Sequence, residues 1–179
     1  CLRLDVHAAL GILLHLAPAV SSPSGDKRDY ILVINTYAES TPWSRGIITD
    51  ITARVEQIEN LELYTEHINL LLVDSPREIE TFETNLLREY GKKPPRALVL
   101  IGTPTALLRN FINSIWKGIP TIVCAEQDFV GPDKYYQKRL PIPASEQVPL
   151  RTLADRDNLT LLYSPAYLDQ SIDLMKQIG

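Results

Sequence analysis

Short apolar runs alternate with longer amphipathic segments from residue 30 to the end of the chain, except in an irregular stretch at 128–157. The runs YILVIN, LELYTEHINLLLV, RALVLIG and NLTLLY are each followed by Ser-Pro or Thr-Pro and then by apolar residues spaced with the 3.6-residue period of a helix. IPTIVCAE supplies a further strand. Uninterrupted apolar strands are typical of a parallel sheet covered on both faces. The pattern predicts an α/β fold with a three-layer, Rossmann-like parallel sheet.

Four strands of this sheet are expected at 30–35, 62–66, 97–101 and 120–125, with the first near the centre. The hydroxyl-proline pairs that follow the runs have a mechanical explanation, since Ser or Thr caps a helix and proline suits its first position. The pairs are Thr41-Pro42, Ser75-Pro76, Thr103-Pro104 and Ser164-Pro165. They are therefore expected to begin helices.

The composition divides the chain into three parts. Residues 1–25 carry Arg3, an apolar run and then small polar residues, which resembles a signal peptide; an amphipathic helix is the alternative. Residues 26–157 form an α/β lobe that includes an irregular, proline-rich excursion at 128–157. Residues 158–179 supply one more strand and helix.

Charge and cysteine content exclude several classes of function. The net charge of −4, without clustered Lys and Arg beside aromatic residues, gives no nucleic-acid footprint. Two cysteines and three histidines form no spaced metal-ligand set, so no metal site is expected. Cys124 lies inside an apolar run and is interpreted as a core residue.

Familiar catalytic and cofactor motifs are missing. The chain holds no G-x-G-x-x-G after its first strand, no P-loop and no G-x-S-x-G nucleophile elbow. Asn35-Thr36 and Gly102-Thr103 stand where a phospho-receiver domain would carry acidic residues. No cofactor and no catalytic residue is predicted, and binding is favoured over catalysis.

Polar and aromatic residues follow the predicted strands. Ligands of parallel α/β sheets bind outside the carboxyl ends of the strands, so these residues are the candidate ligand-binding site. They are Asn35, Thr36, Tyr37, Trp43, Glu66, Gly102, Thr103 and Glu126, with His67, Gln127 and Asp128 beside them. Amide, hydroxyl, aromatic and carboxylate groups suit a small polar molecule, such as a sugar or an amino acid. The competing interpretation is that these residues only pack and cap.

Residues 29–179 resemble one family. The segments are YILVINTYAESTPWSRGIITDI, LELYTEHINL, ALVLIGTPTAL, GIPTIVCAEQD and NLTLLYSPAYLDQSIDLMKQI. They resemble the periplasmic ligand-sensing region of membrane-bound hybrid sensor histidine kinases of two-component systems, which is related to the substrate-binding proteins of ABC uptake systems. A strand that ends in Asn35-Thr36-Tyr37, followed by Pro42-Trp43, carries the most specific part of the likeness.

The resemblance implies one lobe of a two-lobed, type I periplasmic-binding-protein-like fold with the ligand between the lobes. Residues 158–179 would then cross a hinge toward a second lobe that the sequence does not include, so we expect a fragment whose carboxyl edge is open to solvent. The apolar surface left uncovered would favour a homodimer. The parent would be a membrane-anchored, periplasmic sensor whose kinase lies outside this chain.

Two alternatives stay open at this point. The same residues would suit a substrate-binding protein of an ABC uptake system, which binds without signalling. The other alternative is a small α/β enzyme with an unrecognised site around Glu66, His67 and Glu126.

Overall fold

A computed structural model describes residues 28–163, except 71, 72, 74, 139 and 155–157. The signal-peptide-like segment, the Ser164-Pro165 pair and the helix expected after it lie outside the described residues. Seven strands are described: β1 (Asp29–Asn35), β2 (Leu61–His67), β3 (Ala97–Ile101), β4 (Thr121–Ala125), β5 (Phe129–Val130), β6 (Val148–Pro149) and β7 (Leu159–Tyr163). The helices are α1 (Pro42–Val55), α2 (Pro76–Tyr90), α3 (Arg109–Ile115), α4 (Asp133–Gln137), α5 (Arg151–Ala154) and the 3₁₀ helices Thr103–Leu108 and Ala144–Glu146.

Five parallel strands form the main sheet in the order β2-β1-β3-β4-β7. This confirms the predicted α/β class and Rossmann-like layout. β3 is the central strand, and β1 lies between β2 and β3. Asn35 is opposite His67 on one side and Ile101 on the other, so three strands end at the same level. That alignment creates a single carboxyl edge.

Each face of the sheet packs against its own helices. Ile31 and Val33 face α1 and contact Ile51, which is fully buried. Leu32 and Ile34 point the opposite way, into a cluster with residues of α2 and α3. Because successive strand residues alternate between faces, a strand buried on both sides needs the continuous apolar run that the sequence shows.

The hydroxyl-proline pairs begin helices at two of the three described positions. Thr41 is the N-cap of α1 and Ser75 the N-cap of α2, each followed by proline in the first turn. The Ser75 N–H donates to Glu78 Oε2 at 3.3 Å, which is the backbone half of a capping box. Thr103 differs, because it is the first residue of a 3₁₀ helix rather than its cap.

The proline-rich excursion folds back over the sheet edge. β5 and β6 pair antiparallel as a short ribbon, with α4 and a 3₁₀ helix between them. Lys134 and Tyr135 of α4 both bond to Glu146, the lysine at 3.0 Å, and so fix α4 against the 3₁₀ helix. Among the described residues, no helix combines the length and the apolar content that a bilayer crossing requires.

Leu98→Ala tests the importance of the central strand. Leu98 lies in β3 and is fully buried, so the truncation should lower the free energy of unfolding by about 2–5 kcal/mol. Leu87→Ala is the matched control, since Leu87 is 49% exposed on α2 and its loss should cost less than about 1 kcal/mol. Urea unfolding of both variants makes the comparison, and equal losses would contradict the assigned core.

Candidate functional site

A pocket of about 540 Å³ lies at the carboxyl edge of the sheet, beneath the excursion. One wall comes from the ends of β1 and β4, and the other from the segment between β5 and β6. The lining residues are Tyr37, Leu70, Glu126, Gln127, Phe129, Tyr135, Tyr136, Leu140, Pro141, Ile142 and Gln147. Aromatic and aliphatic walls with a few polar groups are typical of small-molecule sites.

Glu126 is held in place by two donors from neighbouring strand ends. Its Oε2 accepts the Thr103 N–H at 3.0 Å, and its carboxylate is hydrogen-bonded to the Tyr37 hydroxyl. An ionised carboxylate offers about four acceptor positions, so two bonds leave acceptor capacity for a ligand. The carboxylate thus ties together the loops after β1, β3 and β4 and still faces the pocket.

Tyr37 is a neutral hydrogen-bond donor over the whole physiological range. Burial raises the pKa of its phenol, and the negative charge of Glu126 and the bond to that carboxylate raise the pKa further. Trp43 stands behind Tyr37, with ring centroids 5.9 Å apart and planes at 89°. This edge-on contact orients the Tyr37 ring, while Trp43 itself packs against the α1 side of the core.

Asn35 and Thr36 are buried in the edge and shape it from within. The Thr36 hydroxyl and backbone N–H both donate to the Ile101 carbonyl, at 2.9 and 3.0 Å. The Asn35 side chain accepts the Tyr37 N–H at 3.2 Å and lies 3.1 Å from His67 Nδ1. Both residues are fully buried. The expectation of an edge open to solvent is wrong for them, because the strand ends use their polar groups to satisfy backbone and neighbouring side chains.

Glu66 lies away from this group. Its Oε1 accepts the Tyr90 hydroxyl at 2.5 Å on the α2 side of the sheet, whereas Tyr37 packs on the α1 side. Glu66 is opposite Ile34, which also points to the α2 side, so strand alternation separates it from Tyr37. Of the predicted site residues, the structure brings together Asn35, Thr36, Tyr37, Trp43, Gly102, Thr103 and Glu126, and Glu66 lies apart.

Gly102 allows the close approach on which the group depends. Its φ of 104° lies in the region that favours glycine. A Cβ at this position would lie 2.2 Å from Thr36 Oγ1 and 2.8 Å from Tyr37 Cε2. Only a residue without a side chain therefore lets the β3 end pass beneath the Tyr37 ring.

The excursion contributes the residues that sequence reasoning missed. Phe129, Tyr135, Tyr136 and Gln147 form much of the outer wall. The sequence signal for these residues is the Tyr135-Tyr136 pair inside a proline-rich stretch. The spacing of the pair does not indicate that this stretch folds back over the edge of the sheet. Gln127, noted beside the candidate residues, lines the pocket.

The electrostatic character of the pocket is simple. Glu126 is the only charged residue among the described lining residues, which include no Lys, Arg or His. In the part of the chain that the structure describes, no group of three or more His, Cys, Asp or Glu residues is placed to hold a metal ion. The site offers hydrogen-bond acceptors, aromatic faces and neutral donors.

Comparison with known proteins found no matching family model, no matching curated protein and no matching solved structure. Any function must therefore be argued from the geometry of the pocket.

Gly102→Ala should disrupt the pocket more than strain alone would. Gly118→Ala is the matched control, because Gly118 also has a positive φ, of 84°, but a Cβ there meets nothing within 4 Å. The control should lose about 1–2 kcal/mol of stability from backbone strain. The free energy of unfolding should fall further in Gly102→Ala. The fluorescence of Trp43 should also change, because the added methyl group displaces the Tyr37 ring that contacts Trp43. Equal losses with unchanged fluorescence would contradict the close packing.

Alkaline pH should weaken the fold through Tyr37. A tyrosine whose folded pKa exceeds the unfolded value of about 10 contributes stability that is fully present below pH 10 and is lost as the pH rises above it. Urea unfolding between about pH 8 and 11 should show a steeper decline for the parent than for Tyr37→Phe. Contributions from Tyr30 and Tyr90 are common to both proteins and cancel in the difference. Parallel curves of stability against pH for the two proteins would show that folding does not shift the pKa of Tyr37.

Proposed function

We propose that this chain binds a small polar molecule in the pocket at the carboxyl edge of its sheet and serves as the extracytoplasmic sensing lobe of a membrane-anchored hybrid sensor histidine kinase. One observation carries the proposal: the carboxylate of Glu126 faces a large pocket while the Tyr37 hydroxyl and the Thr103 N–H hold it in place. Such fixed acceptors provide specificity in a largely apolar cavity.

The chemistry of the wall favours a neutral sugar over an amino acid. Sugar hydroxyls can donate to Glu126 and exchange bonds with Gln127 and Gln147, and the faces of a sugar ring stack on tyrosine. A free amino acid could place its ammonium on Glu126, but its carboxylate would find no cation among the described lining residues. Burying that charge without a partner would cost several kcal/mol, on the order of the desolvation of one ion.

The proposed sensing role requires a second lobe. In a type I periplasmic-binding-like arrangement, the second lobe would close over the carboxyl edge, and the bound ligand would stabilise the closed state. Signalling would then depend on the differential affinity of the two states for the ligand. The part of the chain beyond β7 would connect the two lobes.

A substrate-binding protein of an ABC uptake system would use the same pocket in the same way. The gene sequence after the codon for Gly179 separates the two roles. A transmembrane helix followed by kinase motifs supports sensing, and a second lobe followed directly by a stop codon supports transport. The enzyme alternative gains no observation, because Glu66 and Glu126 are not brought together.

A thermal-shift screen of neutral sugars, amines and amino acids tests the binding site. A sugar hit should raise the melting temperature of the parent, and Glu126→Gln or Tyr37→Phe should weaken its affinity by about tenfold or more, the equivalent of one charged hydrogen bond. Glu66→Gln is the matched control, since that carboxylate lies outside the pocket, and it should leave the affinity unchanged. Equal effects of Glu66→Gln and Glu126→Gln would place the site elsewhere.

A further inference from the structure

A second cavity lies on the α2–α3 face of the sheet, and none of its described lining residues lines the pocket at the carboxyl edge. It has a volume of about 90 Å³ between β4, β7, the β5–β6 ribbon and α3. Its wall is mostly aliphatic, with Val123, Val130, Leu150 and Leu161 among the lining residues. A dry apolar cavity of about 150 Å³ takes a benzene ring, so 90 Å³ corresponds to a chain of about four carbons.

The hydroxyl of Thr103 is the first polar feature of this wall. Thr103 is 2% exposed, and its Oγ1 has no hydrogen-bond partner among the described residues. The other two threonines of the wall are satisfied, since Thr105 donates to the Gly102 carbonyl at 2.7 Å and Thr121 to the Ile119 carbonyl at 3.0 Å. Buried hydroxyls in proteins normally have a hydrogen-bond partner, and an oxygen atom of a ligand would supply one here.

Arg109 and Asn113 are the second polar feature. They are four residues apart on α3 and therefore lie on the same side of that helix, where both border the cavity. Arg109 is exposed and forms no ion pair with any described residue. A guanidinium presents a planar fork of donors that matches a carboxylate. In this wall, Arg109 is the only charged residue among those described.

We propose that this second cavity binds a short-chain aliphatic monocarboxylate. The hydrocarbon chain lies among Val130, Leu150 and Leu161, and the carboxylate accepts hydrogen bonds from Arg109, Asn113 and the Thr103 hydroxyl. The apolar wall selects against sugars and other polyols, and the single cation selects against amines. This preference is opposite in charge to that of the carboxyl-edge pocket, so the proposal does not rest on the function proposed for that pocket.

Calorimetric titration of the full chain with valerate tests the ligand class. Pentylamine and 1-pentanol have the same number of carbons and carry a positive charge and no charge, respectively. Valerate should bind saturably at millimolar concentrations, and the two control compounds should bind at least about tenfold more weakly, because neither pairs with Arg109. Equal affinities for the three compounds, or no saturable binding of valerate, would overturn the proposal.

Two further measurements locate the site. Arg109→Gln should weaken valerate binding at least about tenfold, the equivalent of one charged hydrogen bond, whereas Lys117→Gln removes an exposed cation outside the wall and should leave the affinity unchanged. Both side chains are exposed, so both variants should fold. Nuclear Overhauser contacts between the valerate methyl group and the Leu161 methyl groups should appear in the parent. Their absence, or an Arg109→Gln protein that binds as well as the parent, would show that valerate binds outside this cavity.

Discussion

The in-register parallel pairing of β1 with both of its neighbours determines what the rest of the structure can do. Asn35 is level with His67 and with Ile101, so the chain leaves three adjacent strands at one height. Every loop that follows must begin from that line. The polar residues after the apolar runs are therefore forced into one neighbourhood, and they must satisfy one another or face a ligand.

The structure divides these polar residues between the two tasks. Thr36 donates two hydrogen bonds to the Ile101 carbonyl, and the Asn35 side chain accepts the Tyr37 N–H. The polar groups of both residues are therefore bonded within the protein. Glu126 and Tyr37 keep one side toward the pocket. Thr36, the first residue after β1, lies beside the Ile101 carbonyl at the end of β3 and bonds to it. Tyr37, one position further along, reaches the pocket, whereas Glu126 directly follows β4 and is held at the pocket by the Thr103 N–H.

The fold was predictable from the sequence because local and long-range signals agree. Continuous apolar runs, hydroxyl-proline caps and a helical period all indicate the same parallel α/β sheet, and β1, β3 and β4 appear where the pattern indicates. The site was predictable only in part. Tyr37 and Glu126 follow from the rule about carboxyl ends, but Glu66 occupies the opposite face because alternation along β2 decides its side. Tyr135 and Tyr136 lie in an irregular segment, whose path depends on contacts that no local period encodes.

Thr103 connects the two cavities. Its N–H donates to Glu126 at the carboxyl edge, and its side chain borders the aliphatic cavity on the sheet face. The β5 strand has the same double position, since Phe129 lines the first pocket and Val130 the second. Thr103 and β5 therefore contribute to both cavities, so a substitution at either place would alter both walls.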